Sequence, residues 1–174
     1  MTRSEGRPLL FLDVDGPLIP FGAGPYPQGD EANPLLARID PALGPELAAL
    51  PCELVWATTW MADANECVAP LLGLPELPLV VWPEPSGADV WSRIHWKTPA
   101  LVDHAAGQPF IWVDDEITDA DRAWVASHHR GPALLHRVDA GRGLTGADLT
   151  VLRGWLDAAG RAGHFSAFGA VAGE

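Results

Sequence analysis

Basic residues are scarce in this chain: 11 Lys and Arg stand against 23 Asp and Glu, for a net charge of -12 at pH 7. Such a surface repels long polyanions unless a local basic groove overrides it, which sets aside extended duplex DNA as a partner. Cysteine is scarcer still. Cys52 and Cys67 form no CxxC pair, disulfide framework or zinc cluster, and they fit a reducing cytoplasm. No apolar run approaches the ~20 residues of a membrane span, so no membrane association is expected. Met1 to Pro8 is polar and lacks the separate apolar stretch and cleavage site of a secretory signal, so a cytoplasmic location is expected. The six histidines are scattered without His-Glu-x-x-His spacing; surface positions are expected for them, and none is assigned a catalytic role.

What the chain does have is apolar content. Hydrophobic residues make up 48 % of 174, enough for one good core but not two. A single domain over 1–160 is expected, with the small-residue-rich stretch 161–174 as a flexible tail.

Three apolar runs stop abruptly at polar residues. Arg7 to Val14 reads RPLLFLDV; Glu53 to Ala57 reads ELVWA and is followed by Thr58; Pro109 to Val113 reads PFIWV and is followed by Asp114 and Asp115. Continuous rather than alternating apolar residues mark strands buried on both faces of a parallel sheet. Leu79 to Trp82 and Ala133 to Val138 are expected to add two shorter strands, with helices at 42–50, 63–72, 97–106 and 145–159. Strands alternating with helices give an α/β chain: a Rossmann-like three-layer αβα sandwich around a mainly parallel sheet. Gly16 to Pro34, rich in Gly and Pro, reads as a turn and flap after the first strand. The GRGLTG at 141–146 matches a dinucleotide fingerprint but comes too late in the chain for the further strand and acid that site needs. It reads as a turn with Thr145 capping a helix, and no organic cofactor is assigned.

In an open α/β sheet, ligands bind beyond the carboxyl ends of the strands. There the three runs deliver Asp13 and Asp15, Thr58 and Thr59, and Asp114 and Asp115, and Lys97 at the start of a helix can join them. Converging carboxylates with one lysine repel each other unless a cation intervenes, and Mg²⁺ prefers such hard oxygen ligands. A calcium-binding loop is set aside, because its third and last ligand positions fall on Pro17 and Gly24.

These residues resemble the haloacid dehalogenase (HAD) superfamily of phosphatases, whose four short motifs sit on successive strand ends. Here they are Asp13-Val14-Asp15-Gly16, the strand ending in Thr58, Lys97, and the pair Asp114-Asp115, spread from Leu9 to Thr118. The strings WATTWMADAN, GRGLTGADL and WVDDE are also similar to the HAD domains of Swiss-army-knife RNA repair proteins. The resemblance implies a Mg²⁺-dependent phosphomonoesterase. In it Asp13 is the nucleophile that becomes an aspartyl-phosphate, and Asp15 is the general acid and base. Thr58 donates to a phosphoryl oxygen and Lys97 offsets negative charge. Asp114 holds Mg²⁺ with Asp13 and the backbone carbonyl of Asp15, and Asp115 binds metal or orients Lys97. Asp119 fits an alternative spacing of the fourth motif, or else begins a helix over Ala120 to Ala126.

The connections after the first and second motifs leave little room for a cap domain, so an open site is expected. A phosphorylated substrate is implied, from a small molecule or nucleotide to a larger phosphoester. A nucleic-acid-end or phosphoprotein phosphatase is the alternative within the class, and a non-catalytic metal-binding interaction domain the alternative outside it. Of the eight tryptophans, Trp56 and Trp112 belong in the core, whereas Trp60, Trp91 and Trp96 lie near the motifs, where an indole can pack or stack on a base.

Overall fold

The computed structural model describes residues 6–29, 32–84 and 93–168, with side chains in the last helix described to residue 161. Four strands, β1 (Leu9–Leu12), β2 (Glu53–Trp56), β3 (Phe110–Asp114) and β4 (Ala133–Arg137), form one sheet in the order β2-β1-β3-β4. Every pairing is parallel, and Leu12 lies level with both Trp56 and Val113. The strands therefore end together, and the residues after them share one edge.

Alternation along β1 explains its unbroken apolar run. Leu10 and Leu12 face one cluster with Leu47, Leu72, Leu152 and Leu156, while Leu9 and Phe11 face another with Leu101, Ala105 and Val125. Helices α1 (Leu43–Ala48), α2 (Ala69–Leu72) and α5 (Gly146–Phe168) cover the first face; α3 (Thr98–Ala105) and α4 (Asp119–His128) cover the second. The result is the expected αβα sandwich. Cys52 and Cys67 are both free. No described helix is long and apolar enough to cross a membrane.

Three local expectations are corrected. Leu79 to Trp82 is not a strand but makes a single bridge, Leu79 with Trp56, held by the Trp56 N–H on the Pro78 carbonyl (2.8 Å) and the Val80 N–H on the Trp56 carbonyl (2.9 Å). Pro78 and Pro83 bracket the segment and have no N–H to continue a ladder. The helix expected over 63–72 is split into a π-helical turn, Ala64–Val68, and the short α2. Asn65 in that turn accepts from the Trp56 indole (2.7 Å) and the Leu77 N–H (2.9 Å) and donates to the Leu77 carbonyl (2.8 Å), stapling the Leu77 segment beside β2. Finally, α5 continues past residue 159 to Phe168, since isolated glycines among alanines cost a helix only about 1 kcal/mol each. Residues 169–174 of the expected tail lie outside the described residues.

The flap begins as a buried turn. Leu18 and Ile19 are enclosed and donate to the Val14 carbonyl (3.0 and 2.9 Å). The Phe21 N–H reaches the Ala140 carbonyl (2.7 Å) and the Leu144 N–H reaches the Pro17 carbonyl (2.8 Å), which stitches the flap to the turn before α5. Among the described residues neither the β1–β2 nor the β2–β3 connection contains a cap domain.

Candidate active site

Asp13 follows β1 directly, and its N–H continues the ladder to the Val113 carbonyl at 3.1 Å. Its carboxylate is buried and accepts the Val14 N–H on Oδ1 (2.8 Å). Lys97, the residue before α3, comes from the opposite side. Its Nζ lies 2.8 Å from Asp13 Oδ2 and 2.8 Å from Asp114 Oδ2, and all three side chains are enclosed. Asp114 is fixed further by the Trp112 indole on Oδ2 (3.2 Å) and the Glu116 N–H on Oδ1 (2.9 Å).

One ammonium between two buried carboxylates leaves the cluster negative. Burial pushes the Asp13 carboxyl up to about 7 and Asp114 adds to the rise, while Lys97 opposes it. Burial alone would lower the Lys97 ammonium, but Asp13 and Asp114 outweigh it and hold the lysine charged, above its ordinary value. Asp115, half-buried, is also raised, by burial and then by Asp114. Oxygens of Asp13, Asp114 and Asp115 all lie within 4.8 Å of one another, a spacing at which they could hold a metal ion.

Gly16 sets part of this spacing. Its φ is +91°, and a Cβ there would sit 2.5 Å from the Asp115 carboxyl carbon.

Asp15 stands apart from the three carboxylates, and its Oδ2 accepts the Trp60 indole N–H at 3.0 Å. Thr58 is buried after β2; its Oγ1 accepts the Trp60 N–H (3.2 Å) and its carbonyl accepts the Trp82 indole (3.1 Å). A cleft of about 290 Å³ opens above these groups. Asp13, Asp15, Lys97 and Asp115 line it with Thr59, and Phe21, Trp96 and Glu116 complete its wall. Thr59, not Thr58, is the threonine on the cleft surface. Asp119 is not part of the cluster: it opens α4 with its side chain in solvent, 3.4 Å from Arg122, as a helix N-terminal acid would.

A family model described as "HAD domain in Swiss Army Knife RNA repair proteins" matches residues 9–149. The chain belongs to this family. Searches of curated proteins and of solved structures each find no match. Membership in the HAD family points to a phosphohydrolase type of function, and HAD domains typically use Mg²⁺, for which the acidic cluster is a candidate site.

The geometry adds residues to this HAD site that sequence reading missed. Asp121, buried in the first turn of α4, accepts four hydrogen bonds: His95 N–H (2.7 Å) and Thr98 Oγ1 (2.7 Å) on Oδ1, and Thr118 N–H (2.8 Å) and Oγ1 (2.7 Å) on Oδ2. It thereby ties the His95–Thr98 segment, which carries Lys97, to the loop after Asp114 and Asp115. The available signal was the Thr118-x-x-Asp121 spacing of a capping box, which both partners complete.

Among the described histidines the surface expectation fails at His129 and His95. His129 is buried against the Gln108 carbonyl (3.0 Å), and burial lowers its ring below its ordinary value. His95 is nearly enclosed, accepts the Lys97 N–H on Nδ1 (3.2 Å) and meets Glu116 through Nε2 (3.1 Å).

Proposed function

We propose that this HAD domain is a cytoplasmic, Mg²⁺-dependent phosphomonoesterase that works through an aspartyl-phosphate on Asp13. The observation that carries the reading is the Lys97 bridge, 2.8 Å to each of two carboxylates at adjacent strand ends, with a third carboxylate in coordinating range. A site with this excess of hard oxygen donors over cations fits Mg²⁺, which Asp13, Asp114, Asp115 and the Asp15 carbonyl would hold. Bound there, the ion supplies positive charge that favours ionised Asp13 and neutralises phosphoryl oxygens.

The rest falls to the chain's own residues. An Asp13 carboxylate oxygen attacks phosphorus as the bond to the leaving oxygen breaks, and Asp15 gives that oxygen its proton. Water then attacks phosphorus, the bond to Asp13 breaks, and the proton lost by the water returns to Asp15, releasing phosphate. Trp60 holds one Asp15 oxygen and leaves the other for this exchange. Lys97 offsets charge on nucleophile and phosphate throughout, and Thr59, the threonine on the cleft surface, would donate its hydroxyl to a phosphoryl oxygen in the role expected of the buried Thr58.

The experiment is hydrolysis of an aryl phosphate by the intact protein, with Mg²⁺ or with chelator, beside the Asp13→Asn variant. Turnover that chelator abolishes and Asp13→Asn lowers by roughly 10³-fold or more is the expected result. Chelator-resistant turnover, or an active Asp13→Asn, would refute the mechanism. Absence of wild-type turnover on any phosphate would favour a non-catalytic metal-binding interaction domain. Within the class, membership in a family of RNA repair proteins and the uncapped site favour a nucleic-acid-end phosphatase over a phosphoprotein phosphatase.

A further inference from the structure

Of the three tryptophans near the motifs, Trp60 is committed: it packs on the core and its indole N–H belongs to Asp15. Trp91 lies outside the described residues. Trp96 is different. It is 47 % exposed, it lines the cleft beside Asp13 and Lys97, and its ring centroid is 5.8 Å from the Lys97 ammonium. Its ring is braced edge-on by Trp82 (centroids 4.9 Å apart) and lies tilted against the His95 ring (5.5 Å).

Phe21, 52 % exposed, is the other aromatic of the cleft wall, and its backbone is anchored to the Ala140 carbonyl. Large exposed apolar side chains are rarely grouped without use. Here the two exposed aromatics of the described residues stand on the wall of the same acidic, lysine-bearing cleft.

We infer that Trp96 and Phe21 form a nucleobase subsite, so that the phosphoester hydrolysed here is carried by a nucleotide; this rests on the phosphohydrolase reading above. The cleft's 290 Å³ is at the low end for ligand pockets, about 300–1,000 Å³, so it suits phosphate and sugar while the base lies on the rim. A π-face recognises any base and gives a bare sugar phosphate nothing comparable. The net charge of -12 argues against a long tracking groove, which restricts recognition to a single nucleotide, free or at the end of a strand.

The test compares kcat/KM of the intact protein with Mg²⁺ for nucleoside 3′- and 5′-monophosphates, for ribose 5-phosphate, and for a short single-stranded RNA with a terminal phosphate. Wild type should favour a nucleotide over ribose 5-phosphate by roughly tenfold or more, within what one base–aromatic stack supplies. That ratio should collapse in Trp96→Ala, fall partway in Phe21→Ala and largely survive in Trp96→Phe. The RNA arm then distinguishes a strand end from a free nucleotide. A wild-type ratio near one, a ratio untouched by Trp96→Ala, or preference for a phosphopeptide would overturn the subsite. If nothing is turned over, the phosphohydrolase reading fails separately. Calorimetric binding of a nucleotide and of ribose 5-phosphate to Asp13→Asn still decides the subsite, equal affinities counting against it.

Discussion

Helices α4 and α5 begin with the same device and use it differently. At α4, Asp121 Oδ2 accepts the N–H and hydroxyl of Thr118 (2.8 and 2.7 Å); at α5, Asp148 Oδ2 accepts those of Thr145 (2.8 and 2.6 Å). The difference is in the other oxygen. Asp121 Oδ1 reaches across to His95 and Thr98, flanking Lys97, and the residue is fully buried. Asp148 Oδ1 meets only His136 (2.8 Å), with the side chain 22 % exposed and far along the chain from the motifs. A helix cap satisfies its own N-terminus with one carboxylate oxygen; what the second oxygen touches decides whether the cap also orders a site.

The sharpest way to break this comparison is Asp121→Ala. It strands four donors, of which the Thr98 hydroxyl is buried, and should lower unfolding stability by about 2 kcal/mol. Because Lys97 then loses its anchor, turnover of an aryl phosphate should also fall, by roughly 10- to 100-fold. Urea denaturation and initial rates measured on one preparation check both, and full turnover would show that Asp121 does not position Lys97. Asp148→Ala should cost about 1 kcal/mol, as loss of a cap does, with the rate of the parent retained. A rate loss matching that of Asp121→Ala would erase the distinction between the two caps.

The smallest effect is on acid stability. Burial pushes both carboxyls up, but the hydrogen bonds from Thr118 and Thr98, and from Thr145 and His136, outweigh it and hold each below the ordinary 3.8. The unfolded chain then binds protons first as pH falls, so the stabilisation is complete above pH 3.8 and is lost on descending through the lowered values. Melting temperatures of Asp121→Asn and Asp148→Asn should therefore depend less on pH than those of wild type in this acid range. An unchanged slope would mean that the carboxylates are not held by these bonds.

Strand ends were the most legible part of the sequence, because an apolar run that stops at Asp13, Thr58 or Asp114 records both burial and exit to the edge. What followed from contacts distant in the chain was not legible. Asp121 meets His95 and Thr98 across more than 20 positions, and only its local pairing with Thr118 left a pattern. The Leu79 segment has a strand's composition, yet its prolines and the Asn65 staple allow it one bridge. Thr58 and Thr59 are adjacent and chemically alike; which one faces the cleft depends on how the chain turns toward Trp60.

Gly16 closes the first motif without contributing any functional group. The volume its missing side chain leaves is taken by the carboxylate of Asp115, just past the end of a strand nearly 100 residues later. The two ends of the site are therefore dimensioned against each other, and the tolerance is smaller than a methyl group. Drift at position 16 could thus silence the protein without altering any atom that contacts substrate, which makes this glycine a gauge for the assembly rather than a part of its chemistry.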